Sequence, residues 1–247
     1  MNQKERFRLD LKIIIIGTSA TGKTSLVNKW TKNIFSETYK ATIVSDFGFK
    51  IYEHKGYYYR IQIWDLAGQD KNCMVAKIFA KDCHGIIVLS DATNIYTRED
   101  TLKWKENVEG VQLFLDGGKL PFLLVESKAD LLENPESEDK TLKEFAEKNG
   151  FIGSFLASSK TGLNVTESFE FLLKNIIKRM EDMMAKGFDI KKIMEKRKKE
   201  NEEKEQKKEK EREERKERER KKEEEKEKKR MKSEKKFLKK RRKKKKE

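Results

Sequence analysis

Eight consecutive residues near the amino terminus have the types and spacing of a phosphate-binding loop: Gly17-Thr18-Ser19-Ala20-Thr21-Gly22-Lys23-Thr24. They fit the pattern G-x-x-x-x-G-K-[ST], follow the apolar run Leu11–Ile16, and precede a helical pattern that opens at Ser25. Glycines let several backbone N–H groups point at one anion, and the N-terminus of the following helix adds partial positive charge. In such a loop, Lys23 reaches the outer phosphates and the Thr24 hydroxyl holds a magnesium ion.

A second group of functional residue types lies in the run Trp64-Asp65-Leu66-Ala67-Gly68-Gln69-Asp70, at the end of a later strand pattern. The acidic residue Asp65 can complete a magnesium shell, and Gly68 lets a backbone N–H approach a terminal phosphate. Gln69 can orient an attacking water. Together with the first loop, this run predicts phosphoryl transfer to water.

The segments around these residues alternate between strand and helix patterns, which predicts a mostly parallel sheet covered by helices. Ligands of such sheets bind at the carboxyl ends of the strands, where both runs lie. The predicted strands are Leu11–Ile16, Asp46–Tyr52, Tyr57–Trp64, Gly85–Leu89, Pro121–Val125 and Phe151–Ala157, with a hairpin turn at Glu53–Gly56. The predicted helices lie near Met74–Ala80, Arg98–Gly110 and Thr141–Asn149, and a last helix starts near Val165.

These motifs resemble those of small GTPases of the Ras superfamily, and specifically the Rab family, over about residues 10–180. The resemblance implies an α/β P-loop GTPase fold, with a mostly parallel six-stranded sheet and helices on both faces. It also implies slow GTP hydrolysis, with Mg²⁺ and GTP or GDP as cofactors. Residues 102–105 and 113–121 further resemble the Rab branch that is linked to lysosome-related organelles.

The resemblance implies roles for residues outside the two runs. Thr42 lies in a stretch that resembles T-I-G-x-D-F and would complete the magnesium shell with Thr24 and Asp65. Lys23 and Gln69 would be the catalytic residues. The residues implied to bind the nucleotide are Gly17, Ser19, Ala20, Thr21, Gly22, Lys23, Thr24, Ser25, Phe35, Thr42, Gly68, Ser127, Lys128, Asp130, Ser158, Ser159 and Lys160.

The base-binding residues carry the nucleotide preference. Phe35 occupies the position of the aromatic that packs against guanine, and Lys128 and Asp130 resemble the lysine and aspartate of N-K-x-D. Asp130 would accept hydrogen bonds from guanine ring nitrogens, and an adenine edge would leave its carboxylate unpaired. Ser158-Ser159-Lys160 resembles S-A-K, whose backbone contacts the guanine oxygen.

Three single positions and one three-residue run depart from the family pattern. Ser127 replaces the asparagine of N-K-x-D, and the loss of one or two hydrogen bonds at about 1 kcal/mol each predicts about five- to thirtyfold weaker base binding. Ala20 and Val44 stand where relatives have glycine, and Asp70-Lys71-Asn72 replaces E-R-F after Gln69. Ordinary Rab effectors are therefore expected to recognise an altered surface.

Composition divides the chain into a GTPase domain, residues 1–180, and a charged tail, residues 181–247. The chain has a net charge of +15, and residues 191–247 carry 32 Lys and Arg against 17 Asp and Glu, so the tail holds the whole excess. Many Glu residues precede a base by four positions, as in Glu203–Lys207 and Glu211–Arg215. This spacing favours a solvated single helix that continues the last body helix, with disorder as the alternative.

The tail also bears on partners and location. The chain has two cysteines, no secretory pattern and no apolar run of bilayer length, which predicts a cytoplasmic protein peripheral to a membrane or a cytoskeletal structure. The sequence ends without the cysteines that carry a Rab prenyl anchor. The basic residues 235–246 could bind an anionic membrane or an acidic filament, whereas nucleic acid is a weaker candidate.

The leading hypothesis is a Rab-like GTP-binding switch in intracellular trafficking or in organelle or cytoskeleton positioning. The family resemblance implies an exchange factor, an activating protein and effectors as its partners. The alternative is a nucleotide-binding scaffold that hardly turns over and uses its charged helix as a filament-binding arm. Gln69, Thr42 and Lys23 favour the switch, whereas Ser127 and Val44 favour the scaffold.

Overall fold

Isoleucine dominates the strand at the centre of the sheet. In strand β1 (Phe7–Ile16), which pairs with a parallel strand on each side, the side chains of residues 13–16 are all fully buried, as expected for a parallel strand covered on both faces. The computed structural model describes residues 7–38, 42, 45–68, 73–111, 113–204, 206–207, 209–213, 217 and 220. Gln69, Val44, residues 70–72 and the basic residues 235–246 lie outside the described residues.

The sheet has six strands in the order β2-β3-β1-β4-β5-β6. The pair formed by β2 and β3 is antiparallel and every other pair is parallel. The further strands are β2 (Ser45–His54), β3 (Tyr57–Leu66), β4 (Gly85–Asp91), β5 (Phe122–Ser127) and β6 (Ser154–Leu156). The predicted α/β class and the predicted hairpin are confirmed.

Helices connect these strands and pack against the sheet. They are α1 (Lys23–Lys32), α2 (Cys73–Phe79), α3 (Ile95–Val108), α4 (Pro135–Lys148) and α5 (Val165–Ala185). The sequence analysis predicted that helix α4 begins near Thr141. In the structure, it begins at Pro135. Asn134 caps it by accepting a hydrogen bond from the Ser137 backbone N–H at 3.3 Å, and proline suits the first helical position because it lacks an N–H.

A stacked aromatic pair fixes the helix that follows the phosphate loop. The rings of Trp30 in α1 and Phe169 in α5 lie 4.1 Å apart and only 5° from parallel. The ammonium group of Lys50 lies 4.7 Å from the centre of the Trp30 ring. These contacts hold α1, and therefore the loop at its N-terminus, against the rest of the domain.

Helix α5 ends at Ala185, so the expectation of one unbroken helix into the tail is wrong. Gly187 has a φ of +88°, and its N–H and that of Phe188 donate to the carbonyls of Met184 and Met183. A left-handed glycine of this kind is a common helix stop. Residues 190–195 are helical again, and Ile190 is only 2% exposed within the hydrophobic core.

The chain forms two compact units, Met1–Glu195 and Lys196–Glu247. In the second unit, the helical residues are 196–204, 206–207, 209–213, 217 and 220, and nearly all of their side chains are exposed. Lys196 and Glu200, one helical turn apart, form an ion pair at 3.8 Å. Across the part of the chain that the structure describes, no helix combines the length and the apolar character needed to cross a bilayer.

Candidate nucleotide-binding site

A cavity of about 670 Å³ opens at the carboxyl ends of β1, β3 and β5. Most of the residues that the sequence analysis assigned to nucleotide binding meet in its wall. Those lining residues are Ser19, Ala20, Gly22, Lys23, Thr24, Ser25, Phe35, Thr42, Gly68, Ser127, Lys128, Asp130, Ser159 and Lys160. The sequence-predicted residues therefore come together from several separate segments.

Four other predicted residues lie one layer behind the cavity wall: Gly17, Thr21, Asp65 and Ser158. Each forms a hydrogen bond with a residue of the lining. These four residues therefore support the cavity wall through hydrogen bonds to its lining residues. Gln69 follows Gly68 in the chain, but it falls outside the described residues.

The phosphate loop needs glycine at its first position. Gly17 has a φ of +144°, and a Cβ there would lie 2.2 Å from the Leu89 carbonyl oxygen of β4. Gly22, at the start of α1, has a φ of +87°. Ala20 adopts a left-handed φ of +63°, which costs a residue with a Cβ more than it costs glycine.

One end of the cavity is lined by residues 19, 20 and 22–24 of the predicted phosphate loop and is called the phosphate end. Lys23 lies there and is only 6% exposed. Its ammonium group donates to the carbonyl oxygens of Gly17 and Thr18, both at 2.8 Å. Burial lowers the pKa of Lys23 to about 8, although the nearby Asp65 opposes the shift. A Cβ at Gly68 would lie 2.4 Å from this ammonium group, so glycine lets the backbone approach it closely.

Three oxygen-bearing side chains converge beside Lys23. The Thr24 hydroxyl lies 2.9 Å from the Thr42 hydroxyl and donates to Oδ2 of Asp65 at 2.5 Å. Burial raises the pKa of Asp65 to about 6, while the Thr24 hydrogen bond and the Lys23 charge act in the opposite direction.

The second carboxylate oxygen of Asp65 shows whether the three side chains, Thr24, Thr42 and Asp65, suit a metal ion. Asp65 is 1% exposed, and its Oδ1 has no hydrogen-bond partner among the described residues. An unpaired buried oxygen next to two hydroxyls fits Mg²⁺, which takes oxygen ligands and shares them with substrate phosphates. The described residues contain no cluster of three or more His, Cys, Asp or Glu that could hold a metal ion.

The base end of the cavity is formed by the loops after β5 and β6. Asp130 lies in a short 3-10 turn, Ala129–Leu131, and its Oδ1 accepts a hydrogen bond from the Ser158 hydroxyl at 2.5 Å. Lys128 has a left-handed φ of +63°, and its ammonium group lies 2.5 Å from Asp91 Oδ2. The Ser158 bond joins the two loops and orients the Asp130 carboxylate, whereas the Lys128 contact ties the loop after β5 to the end of β4.

Ser127 joins the base end to the phosphate end. It is buried, and its hydroxyl lies 2.6 Å from the Thr21 carbonyl oxygen and 2.9 Å from the Ser90 carbonyl oxygen. The sequence analysis treated this serine only as the loss of an asparagine. In the structure, its single hydroxyl proton can be donated to the Thr21 carbonyl of the phosphate loop, the nearer acceptor, with the Ser90 carbonyl of β4 as the alternative acceptor.

The rim of the cavity includes residues that the sequence analysis missed. Glu37 lies on the loop after α1, and its carboxylate forms an ion pair at 3.0 Å with Lys160 on the opposite wall. The other missed lining residues are Asn28, Ile34, Ser36, Thr38 and Leu131. Most of them are chain neighbours of predicted residues such as Phe35 and Asp130, which was the available signal.

Comparison with known proteins decides the family. The sequence model of the Ras family matches residues 12–178. This chain belongs to the Ras family. Human Rab-7L1 is 31% identical to this Rab-like chain over 176 residues, which cover 70% of the chain and 86% of that protein.

Two further relatives are Rab-32 proteins. Mouse Rab-32 is 28% identical over 183 residues, which cover 74% of this chain and 82% of that protein. Rab-32C of Dictyostelium discoideum is 32% identical over 183 residues, which cover 74% of this chain and 80% of that protein. These similarities confirm the prediction of a divergent Rab-like GTPase.

Proteins of this family bind GTP or GDP, typically with Mg²⁺, and hydrolyse GTP. This Rab-like protein is therefore a small GTPase, an enzyme that works with regulators and effectors as its relatives do. Its cavity supplies a buried ammonium group, a close glycine backbone and a magnesium-compatible oxygen cluster at one end. A carboxylate that can pair with a base edge lies at the other end.

Proposed function

We propose that this Rab-like protein is a GTP-dependent switch with slow intrinsic hydrolysis, acting in trafficking or in the positioning of organelles or the cytoskeleton. The observation that supports the proposal is the convergence at the phosphate end. Lys23, the Gly68 backbone and the unpaired Asp65 oxygen all lie around the same end of one cavity. These are the groups that phosphoryl transfer to water needs.

In this proposal, Lys23 exchanges its bonds to loop carbonyls for bonds to the outer phosphates, where its charge stabilises the transferring group. The Gly68 N–H binds the terminal phosphate. Gln69, the next residue, orients the attacking water. Mg²⁺, when bound by Thr24, Thr42 and Asp65, neutralises charge that develops on the phosphate oxygens.

The rate should be slow without a partner. Among the described residues that line the cavity, there is no arginine to stabilise the transition-state charge. An arginine of this kind increases phosphoryl-transfer rates by about 10³- to 10⁵-fold in related mechanisms. We therefore propose that an activating protein supplies the missing charge.

The nucleotide content of the purified, heat-denatured protein tests this function, followed by single-turnover GTP hydrolysis with and without Mg²⁺. Bound GDP and slow, magnesium-dependent turnover are expected. An empty site would contradict guanine-nucleotide binding. Gln69→Leu should slow the hydrolysis step at least about tenfold, and an unchanged rate would remove the catalytic role of Gln69.

A nucleotide-binding scaffold is the second candidate, because the described residues of the second unit form an exposed, highly charged helix. Retention of GTP without turnover would favour it. In either case, we propose that the charged segment keeps the protein at an anionic membrane or an acidic filament. Removal of residues 196–247 should then disperse a fluorescently tagged protein in cells, and an unchanged distribution would contradict this role.

A further inference from the structure

A buried ion pair lies beneath the base-binding loop, outside the cavity lining. Arg98 of α3 and Glu126 of β5 have side chains that are 4% and 0% exposed. The guanidinium group binds the carboxylate with both prongs, Nε to Oε1 at 2.9 Å and Nη2 to Oε2 at 2.6 Å. Nη2 also donates to the carboxylate of Glu138 on α4.

Stability alone does not explain this pair. Moving two charges out of water costs about as much as their attraction returns, and well-packed apolar residues often replace a buried pair without loss. The net contribution of this pair to stability is therefore expected to be small. Its position next to Ser127, which joins the two ends of the cavity, indicates another role.

Contacts of Ser90 and Ser127 connect the ion pair to the phosphate loop, with the link passing through the backbone of Ser90. Glu126 Oε1 accepts a bond at 3.1 Å from the hydroxyl of Ser90, its partner in the β4–β5 register. The carbonyl of Ser90 lies 2.9 Å from the Ser127 hydroxyl, which lies 2.6 Å from the Thr21 carbonyl. Arg98 is therefore linked, through Glu126 and Ser90, to the surroundings of the Ser127 hydroxyl.

We propose that the Arg98–Glu126 pair is a positioning unit for Ser127 that sets how long a guanine nucleotide stays bound. The inference rests on the proposed function, because it assumes that guanine nucleotides occupy the cavity. With the pair in place, the Ser127 hydroxyl ties the base-binding loop to the phosphate loop. Without the pair, Ser90 loses its acceptor and the carboxyl ends of β4 and β5 relax, so the two loops separate more easily.

The test replaces both charges at once, in the variant Arg98→Met/Glu126→Leu. Neither member of the pair is then left as a buried charge without its partner. Release of a fluorescent GDP analogue should accelerate about five- to thirtyfold, the effect of losing one or two hydrogen bonds. Single-turnover hydrolysis of preloaded GTP should keep its rate, because Lys23 and the magnesium ligands are untouched. Wild-type release from a folded variant would overturn the proposal.

A second variant keeps the proposal testable if the double replacement does not fold. Arg98→Lys retains the positive charge but cannot form the two-pronged bond to Glu126. Release of the analogue should accelerate by at least about threefold, the effect of one weakened hydrogen bond. A wild-type release rate in this variant also overturns the proposal.

A coupling experiment separates positioning from general loosening. Ser127→Ala alone should accelerate release about as much as the double replacement does. In the double-replacement background, Ser127→Ala should add less than about a twofold change, because the same bonds are already lost. Additive effects would show that the pair does not act through Ser127.

The matched control is Arg179→Met. Arg179 on α5 also pairs its guanidinium group with a carboxylate, Asp116, but neither residue lines the cavity. The Arg179→Met variant should release the GDP analogue at the wild-type rate. Faster release would overturn the proposal that control of nucleotide release belongs to the Arg98–Glu126 pair. A wild-type protein that binds no GDP refutes the proposed function, whereas normal binding with unchanged variants refutes only this inference.

Discussion

At the phosphate end of the cavity the key charges are buried, whereas at the base end they are exposed. Lys23 and Asp65 lie almost fully inside the protein, and burial displaces the pKa of each. Asp130 and Lys160 are exposed and keep their places through hydrogen bonds and an ion pair between loops. Burial strengthens electrostatic interactions, so the same change should cost more at the phosphate end than at the base end.

The largest effect is expected for Lys23→Ala. The variant loses a buried ammonium group that would bind two phosphates, and hydrogen bonds to charged groups contribute about 1.5–3 kcal/mol each. GDP affinity, measured by calorimetry, should fall at least about 100-fold. The control is Lys32→Ala in the last turn of the same helix. If Lys23→Ala lowered GDP affinity less than tenfold, the expectation that changes cost more at the phosphate end than at the base end would be wrong.

A smaller loss is expected for Asp130→Ala, which removes the carboxylate that would bind the guanine edge. GDP affinity should fall about 10- to 100-fold, because water can partly replace the exposed acceptor. The preference for GDP over ADP should shrink by a similar factor. Competition binding measures both, with Asp139→Ala on α4 as the control, and an unchanged preference would contradict base recognition by Asp130.

The pH dependence of magnesium binding probes the phosphate end alone. The pKa of Asp65 is about 6 without metal, and a metal ligand must be deprotonated. Magnesium affinity should therefore fall about tenfold for each pH unit below 6 and level off above pH 7. A flat titration in the GDP-bound protein between pH 5 and pH 7 would exclude Asp65 as a ligand.

The same raised pKa has an opposite consequence for the metal-free protein. Between the ordinary pKa of 3.8 and about 6, the folded state binds more protons at Asp65 than the unfolded state does. The contribution of Asp65 to stability is therefore lost as the pH rises through this window. In the Asp65→Asn variant, with chelator present, thermal unfolding should not show this loss of stability between pH 3.8 and about pH 6.

The smallest effect is expected at the rim of the base end, for Glu37→Gln. The Glu37–Lys160 pair is exposed, and such pairs contribute about 0–1 kcal/mol. GDP release should accelerate no more than about fivefold, and 0.5 M salt should remove most of the difference. A larger acceleration that salt does not reduce would contradict the expectation that changes at the exposed base end cost less than changes at the buried phosphate end.

Local patterns were sufficient to predict the sheet. The apolar run of β1, the β2–β3 hairpin and the short buried strands β4 and β5 are written in consecutive residues, and the structure confirms them. The starts of α3 and α4 were also readable, because Asn94 and Asn134 cap them. The sequence analysis placed both starts too late, near Arg98 and Thr141, because it did not use these caps.

The Arg98–Glu126 pair could not have been predicted in the same way. The two residues are 28 positions apart, in a helix and in a strand, and only the packed fold shows that their charges meet. The role of the Ser127 hydroxyl was hidden for the same reason, since its partner Thr21 is 106 positions away. Gly187 differs from both, because its signal was present in the sequence and was overlooked.

The turn at Gly187 has a mechanical consequence. A continuous α-helix could pass a rotation or a push from α5 into the charged segment, because its hydrogen bonds form one uninterrupted ladder. Here the ladder stops at Ala185, and the chain is secured a few residues later by Ile190 in the core. Torque therefore has no continuous helical path out of α5.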